Sequence, residues 1–425
     1  MKNKTYIILT ILIYRIILDI SYLYLVSPQY SYSGMIVDDF NLFRYLLSWI
    51  IVLLSIPIIN KCVINPNFSS HSTLLLILWS LFPSSTLLAF ISVSYEFYLL
   101  IFIFWISFFF FYKNISLIRV KKIKGINFKI LFYFIYFTYV ITIFVISFIY
   151  RKFQFNLDLY AVYDLRESAR NLGIPLIFNY ILASSNTIMP IFFIYFMLKK
   201  KRIITGITFI IILLNFGIAG DKTIVFMLLL TIIAYYFYKT NYIKYFSAFL
   251  IAVLIFSFGE YYLLNTSNIT TFISNRTLFL PARLHYYYYD FFSTHPFDYF
   301  KQGILRRIGL SSQYNENIAF ILGEEYFNSD FIRANNGLFS EAYSNLGYLG
   351  VILIPFLIMI ILKLFDGITI NINFKFLIVP VLSVVLPLIS APISTALLTN
   401  GIIFVWFILY IMRDEFIMLS KRISK

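Results

Sequence analysis

Runs of mainly apolar residues follow one another along almost the whole chain, and most approach the roughly 20 residues that an α-helix needs to cross a bilayer. Of the 425 residues, 61% are hydrophobic and only 12% are charged, well below the charged share of a soluble domain. This composition excludes an ordinary soluble enzyme. We predict an all-α polytopic membrane protein, a single transmembrane domain over 1–425 with about twelve spans. The predicted spans are 5–26, 43–60, 73–92, 97–112, 128–150, 176–198, 203–219, 223–239, 245–264, 346–363, 376–391 and 399–412.

The distribution of charge predicts how these spans are oriented. With the N-terminus inside and the sides alternating, cytoplasmic segments hold 21 Lys and Arg against three acidic residues, whereas external segments hold 12 against 15. This is the positive-inside asymmetry of inserted membrane proteins, and the basic block 199–202 is its clearest example. The net charge of +15 therefore reflects topology, and we expect no nucleic-acid partner. Both termini are predicted to be cytoplasmic.

Two connections on the predicted external side are long, residues 151–175 and residues 265–345. Long loops in compact proteins are usually functional, so we expect these two loops to form the active-site face. Within the longer loop, 279–292 and 297–310 carry apolar residues at helical spacing. This pattern predicts short helices that lie on the membrane or dip into it.

The first loop contains two arginines, Arg166 and Arg170, which share one face if the segment is helical, with Tyr163 beside them. Like charges at this spacing slightly destabilise a helix, so fold stability does not explain them. Phosphate binding does explain them, because a guanidinium can bond phosphate oxygens through two N–H groups. We expect Arg166 to be catalytic and Arg170 and Tyr163 to bind substrate. The alternative is a solvated helix paired through Asp164 and Glu167.

The second loop repeats the pattern with Arg276 and Arg283, seven residues apart and therefore also predicted on one helix face. His285, four tyrosines at 286–289 and Asp290 follow directly. Aromatic rings beside cations suit a sugar and a pyrophosphate, so we expect Arg276 to be catalytic. Arg283, His285 and Asp290 are candidate substrate-binding residues. The alternative is an interfacial aromatic belt with arginines that extend to lipid headgroups.

The start of the tenth span combines a capping residue, a carboxylate and small residues. Asn336 can cap the helix, and Glu341 then lies at the outer edge of the membrane. A carboxylate there is costly without a partner and is a functional candidate by default. We expect Glu341 to be the general base and Asn336 to bind substrate; the alternative for Glu341 is an ion pair with a loop arginine. Gly347 and Gly350 permit close approach of another helix.

Asp221 and Lys222 lie in a Gly-Asp-Lys-Thr turn between the seventh and eighth spans. The turn resembles a phosphate-binding P-loop only superficially, because Asp221 interrupts the motif and the turn is predicted to be external, away from ATP. We interpret it as a polar turn that can line a cavity, and both residues are candidate substrate ligands.

No metal site and no cofactor are predicted. Cys62 is the only cysteine, the three histidines divide between the two predicted sides of the membrane, and no Asp-x-Asp pair is present. Any phosphate chemistry is therefore expected to rest on arginine.

In this order and on one predicted side of the membrane, these motifs resemble the O-antigen polymerase (Wzy) family of lipid-linked oligosaccharide polymerases. The resemblance covers nearly the whole chain as architecture. In residues it rests on Tyr-x-x-Arg at 163–166, Gly-Asp-Lys at 220–222, Arg-x6-Arg at 276–283 and Gly-Leu-x-x-Glu-Ala-Tyr-x-x-x-Gly at 337–347. Two features depart from it. An Arg-x10-Gly pattern of some relatives is missing at the loop arginines, and Asn335 and Asn336 stand where related ligases carry a histidine.

The resemblance implies metal-independent glycosyl transfer on the periplasmic face of the bacterial inner membrane, in the biosynthesis of O-antigen or another surface polysaccharide. A growing glycan on undecaprenyl pyrophosphate is moved onto a fresh lipid-linked repeat unit. The implied partners are these lipid-linked glycans, membrane lipids, a chain-length regulator and a flippase. The alternative function is that of a flippase or exporter, whose charges should follow a pathway at the membrane midplane. A glycan ligase of similar mechanism and an O-acyltransferase also stay open.

Overall fold

The computed structural model describes residues 2–123, 127–153, 172–237, 242–303, 305, 309–373 and 376–423. All regular structure in these ranges is helical, and they contain no β-strand. Among the described helices, nine are long and apolar enough to cross a membrane: Thr5–Ser33, Leu42–Ile64, Phe68–Phe90, Tyr95–Asn114, Phe128–Arg151, Leu176–Leu198, Tyr245–Leu264, Phe339–Ile368 and Ile393–Leu419. The chain is therefore a multi-pass membrane protein, as predicted.

Three shorter apolar helices, Arg202–Ile218, Thr223–Tyr236 and Ile378–Ser390, lie where the seventh, eighth and eleventh spans are predicted. Whether they also cross the membrane stays a prediction, as does the orientation of the whole chain. The third predicted span starts earlier than expected, at Phe68, because the Asn67 side chain caps it by accepting the Ser70 N–H at 2.7 Å.

The chain divides into two compact units. Unit 1 contains Met1–Ser116, Tyr242–Lys363 and Leu388–Ile393, and unit 2 contains Leu117–Asn241, Leu364–Pro387 and Ser394–Lys425. The candidate residues of the long loop and the tenth span therefore all belong to unit 1, and the turn at Asp221 belongs to unit 2.

The core of unit 1 is one helix, Phe68–Phe90, which is buried along its whole length; we call it the central helix. A π-helical turn, Ile77–Leu81, runs into Pro83. Because proline has no N–H and π-helical bonds reach back five residues, the carbonyl of Leu78 loses its donor within the helix. The Tyr14 hydroxyl replaces that donor at 3.0 Å.

A buried ion pair strengthens the same contact between the first helix and the central helix. The fully buried Arg15 side chain pairs with Asp19, one turn further along. It also donates to the hydroxyl of Ser85 at 2.9 Å, to the carbonyl of Ser85 at 3.1 Å and to the Ser48 hydroxyl at 3.1 Å. The ring of Trp49 lies 5.2 Å from the guanidinium. A charge within the membrane is tolerated only with such partners, so this cluster fastens three helices together.

The long loop folds onto unit 1 through helices of its own. A π-helix, Thr270–Phe279, continues into the α-helix Leu280–Thr294, which we call the loop helix. It matches the helix predicted at 279–292. The described part of 297–310 forms turns instead, and a further helix that was not predicted spans Ile318–Phe327.

The helix Phe339–Ile368, here called the late helix, is broken at Gly347, whose φ of 55° is left-handed. A Cβ atom on Gly347 would lie 2.6 Å from the Phe297 ring. At Gly350 it would lie 1.9 Å from the Ala342 carbonyl of the same helix. The expected role of these glycines in helix–helix approach is therefore wrong. Gly347 leaves room for the side chain of Phe297 from the loop, and Gly350 leaves room for the Ala342 carbonyl in the turn before the break.

Site-directed labelling tests the predicted orientation. In a Cys62→Ser background, Ser311→Cys should react with a membrane-impermeant maleimide in intact spheroplasts, because Ser311 is exposed in the long loop. Lys201→Cys, exposed in the basic block, should react only after permeabilisation. The reverse pattern would invert the topology and place the long loop in the cytoplasm.

Candidate functional site

The predicted site residues divide into three groups. Tyr163, Arg166 and Arg170 lie outside the described residues. Asp221 and Lys222 belong to unit 2. Unit 1 contains the largest group: Arg276, Arg283, His285, Asp290, Asn336 and Glu341.

A buried polar cluster joins the loop helix to the residues just before and within the late helix. His285 Nδ1 lies 2.9 Å from Ser340 Oγ and 3.1 Å from Asn336 Nδ2. On the other side of the ring, His285 Nε2 lies 3.4 Å from Ser80 Oγ of the central helix. Because an amide nitrogen only donates, this network assigns Nδ1 as acceptor and the proton to Nε2. Burial lowers the pKa of His285 to about 3, so the ring is neutral.

This cluster changes the interpretation of His285 and Asn336. Both are 1% exposed, and the Asn336 amide also donates to the Pro281 carbonyl at 2.8 Å and to Ser340 Oγ at 2.9 Å. Asn336 is therefore not the predicted helix cap. In this structure the two side chains are hydrogen-bonded to each other. They connect the loop helix to the segment before the late helix and, through Ser80, to the central helix. Ser340 and Ser80 are the partners that sequence reasoning missed, since a serine in an apolar span carries no distinctive signal.

Glu341 follows Ser340 and is also buried, at 2% exposure. Its Oε2 accepts the N–H of Ile393 at 2.7 Å, at the start of the short helix Ile393–Leu398. No lysine or arginine in the described part of the chain pairs with it, so the ion-pair alternative finds no support there. Its Oε1 accepts no hydrogen bond from the described residues, which leaves one carboxylate oxygen available.

Gly337 brings Glu341 within reach of Ile393. Its N–H donates to the Ile389 carbonyl at 2.9 Å, and a Cβ atom at this position would lie 2.2 Å from the Leu388 carbonyl and 2.5 Å from that of Ala391. Only glycine allows two backbone segments to approach this closely.

Arg283 is buried to 7% exposure and lies between two aromatic rings. Its guanidinium carbon is 4.9 Å from the Tyr286 ring centre and 4.7 Å from that of Tyr287. It forms no ion pair or hydrogen bond with the residues that the structure describes, and its Nε atom is fully buried. Arg276, by contrast, is exposed. The shared face predicted for the two arginines assumed an α-helix, whereas Arg276 lies in the π-helix, whose wider turn changes the angle between them.

The tyrosines that follow Arg283 are mostly internal. Tyr287, Tyr288 and Tyr289 are 4–6% exposed, and the Tyr288 hydroxyl donates to the Ala334 carbonyl at 3.0 Å. The aromatic-belt alternative is therefore wrong for these three. Asp290 is exposed and accepts the Tyr326 hydroxyl at 2.7 Å, and the Tyr326 ring stacks on Tyr287 at 4.2 Å. Asp290 thus orients the ring that stacks on Tyr287, which is one of the two rings beside Arg283.

Comparison with protein-family models, with curated proteins and with solved structures gives no match to this chain. A proposal of function must therefore rest on the sequence motifs and on the geometry of the site.

The turn of unit 2 is polar, as predicted. Asp221 Oδ1 accepts the Thr223 N–H at 3.0 Å and so caps the following helix, and Asp221 Oδ2 accepts Asn186 Nδ2 at 2.8 Å. Asn215 extends the network by donating to Asn186 Oδ1 at 3.0 Å. Lys222 begins the helix Lys222–Phe237, and its side chain lies outside the described part of the structure. No group of three potential metal ligands occurs among the described residues.

Two neighbouring asparagines offer a matched test of the buried cluster. Asn336→Asp removes the amide donor shared by Pro281, His285 and Ser340, so we expect a loss of about 3 kcal/mol or more of folding free energy. Asn335→Asp makes the same chemical change at an exposed position and should cost about 0.5 kcal/mol at most. Thermal unfolding in detergent, followed by fluorescence-detected size exclusion, measures both. Equal melting temperatures would show that the cluster contributes little to stability.

Proposed function

We propose that the protein is an integral-membrane glycosyltransferase that polymerises undecaprenyl-pyrophosphate-linked repeat units on the external face of the bacterial inner membrane. The proposal starts from the sequence resemblance to the O-antigen polymerase family. The observation that carries it furthest is Arg283, a buried arginine that stacks between two tyrosine rings and has no carboxylate partner among the described residues.

A buried guanidinium without a counter-ion is costly, and a fold that needs only stability would pair it or replace it. The ring faces of Tyr286 and Tyr287 stabilise the cation, but they do not accept the hydrogen bonds that its N–H groups donate in the plane of the guanidinium. The arrangement therefore favours an anion supplied from outside the chain, and phosphate oxygens match the guanidinium fork. A pyrophosphate-linked substrate provides such an anion.

Glu341 supplies the complementary chemistry in this proposal. The acceptor hydroxyl attacks the anomeric carbon of the donor, the bond from that carbon to the pyrophosphate oxygen breaks, and the hydroxyl proton passes to Glu341. The free Oε1 atom is available for this proton, while Oε2 stays bonded to Ile393. Arg283 stabilises the negative charge that develops on the leaving pyrophosphate. His285 connects the two residues structurally, since it lies two positions after Arg283 and contacts Ser340, next to Glu341.

The flippase alternative needs charged groups along a pathway within the spans. The buried pair of Arg15 and Asp19 is such a group, but its hydrogen bonds to Ser48 and Ser85 are those of a joint between helices. This observation does not favour transport.

The surface glycan of a deletion strain distinguishes the two functions. Loss of a polymerase should leave single repeat units on the cell surface and remove the ladder of longer chains, because export still works. Loss of a flippase should leave no repeat unit outside. Gel analysis of the surface glycan, with a strain complemented by the intact gene as control, reads this directly. The absence of single repeats would overturn the proposal.

Substitution of Glu341 separates proton transfer from helix capping. Glu341→Gln keeps an oxygen that accepts the Ile393 N–H, but it cannot take a proton, so we expect polymer synthesis to fall about 10²–10⁴-fold with unchanged protein level. Glu341→Asp should keep partial activity. The measurement is glycan chain length in the complemented strain. Full-length polymer from the Gln variant would show that Glu341 serves only as a cap.

A further inference from the structure

Glu341 is 2% exposed, so in this structure an acceptor hydroxyl cannot reach the carboxylate that the proposed function needs. Ser344 and Asn345 lie three and four positions after Glu341 and therefore on the same face of the helix, one turn further along. A short turn of the long loop, residues 297–302, lies on that face, and we call it the strap. Access to Glu341 requires a movement of the fold, and the strap is a segment whose release would uncover this face.

Two hydrogen bonds and one aromatic ring dock the strap on the late helix. The Asp298 N–H donates to the Ser344 carbonyl at 2.9 Å, and the Phe300 N–H donates to Asn345 Oδ1 at 2.6 Å. The ring of Phe297 fills the space that the break in the helix leaves. Because the helix is interrupted just after this turn, its last carbonyl groups need donors from elsewhere. The strap is therefore the cap of this helical turn.

The strap keeps its shape through bonds that do not involve the late helix. The buried carboxylate of Asp298 accepts the Gln302 N–H at 2.8 Å and the Ser312 hydroxyl at 2.5 Å. The side chain of Gln313 donates to the Phe297 carbonyl at 2.9 Å. These bonds tie the strap to a neighbouring segment of the long loop, so it can leave the helix without losing its own structure.

Two bulky residues of the docked strap have a left-handed backbone. Tyr299 has a φ of 54° and Phe300 a φ of 60°. This conformation is costly for a residue with a Cβ atom and persists only where the surroundings impose it. The two docking N–H groups, those of Asp298 and Phe300, lie on either side of Tyr299 and so fix the backbone there. Release of these bonds lets the backbone relax, so its cost weakens the docked state.

We propose that the strap is a lid of the candidate active site. Docked, as in this structure, it closes the face of the late helix that carries Glu341, and undocked it admits the acceptor hydroxyl to the free Oε1 atom. The inference rests on the proposed function, because it supplies the opening that proton transfer to Glu341 requires. Segments that open during catalysis belong to the least stable parts of a fold, and the left-handed pair gives the strap this property.

Hydrogen–deuterium exchange of the full-length protein in detergent, with fragmentation that resolves single amides, tests whether the strap opens. The docking amides of Asp298 and Phe300 should exchange at least about 100-fold faster than amides at the centre of the loop helix. Tyr299→Gly relieves the left-handed backbone, so exchange at both docking amides should slow about three- to ten-fold. Tyr299→Ala is the matched control, because it removes the same ring but keeps the Cβ atom, and it should not slow exchange.

Polymer synthesis by the same two variants tests whether this opening serves the reaction. Tyr299→Gly should make about three- to ten-fold less polymer than Tyr299→Ala at equal protein level, because the fraction of open protein falls by the same factor. Equal exchange in the two variants would overturn the proposal, as would docking amides that exchange as slowly as those of the loop helix. Slower exchange with equal polymer would show that the strap does not control access to the site.

The proposed function is read separately, from the surface glycan of the deletion strain. A polymerase that works equally well with Tyr299→Gly and Tyr299→Ala would keep that function and refute the lid. A deletion strain with unchanged glycan would refute the polymerase, and with it the role of the strap in that reaction, whatever the exchange rates are.

Discussion

In a chain that folds within hydrocarbon, the hydrogen-bond partners of polar groups must come from the chain itself. The packing of unit 1 depends on how the central helix obtains these partners. Pro83 frees the Leu78 carbonyl in the middle of a helix that no solvent reaches, and Tyr14 caps it. The next residue of the first helix, Arg15, donates hydrogen bonds to the hydroxyl and carbonyl oxygens of Ser85. These contacts hold the first helix against the central helix. The central helix also contacts the loop helix, through Ser80 and His285.

The candidate site is built on that frame by close backbone approach and buried hydrogen bonds. Ser80 Oγ contacts Nε2 of the His285 ring, and Asn336 and Ser340 contact Nδ1 on the opposite side of the ring. This fixes the loop helix against the residues that lead into the late helix. Gly337 lets that segment touch the chain at 388–391, so the carboxylate of Glu341 reaches the Ile393 N–H. Two candidate residues far apart in sequence, Arg283 and Glu341, are thus positioned by neighbouring side chains and by close backbone contacts.

The sequence predicts the helical membrane class well, because repeated apolar runs of span length are typical of membrane helices. It predicts local detail less well where polar residues are buried. The segment 68–73 looks like a loop, yet it starts the central helix because its serines and His71 lie inside the bundle. The prediction that Arg276 and Arg283 share one helix face is wrong, because a π-helix cannot be recognised from residue spacing. The contact of His285 with Ser340 spans 55 positions, a separation that no periodicity in the sequence encodes.

Two buried arginines show why burial alone does not identify a functional residue. Arg15 lies inside a span, where a charge is a functional candidate by default, yet Asp19, Ser48 and Ser85 satisfy its guanidinium. Arg283 lies in a loop, where a charge is ordinary, yet it stacks on two aromatic rings and its Nε atom has no hydrogen-bond partner among the described residues. The free energy of burying a guanidinium is recovered within the fold in the first case. In the second case the described residues supply no such compensation, so an unpaired buried arginine is a better reason to propose an anion-binding site than burial alone.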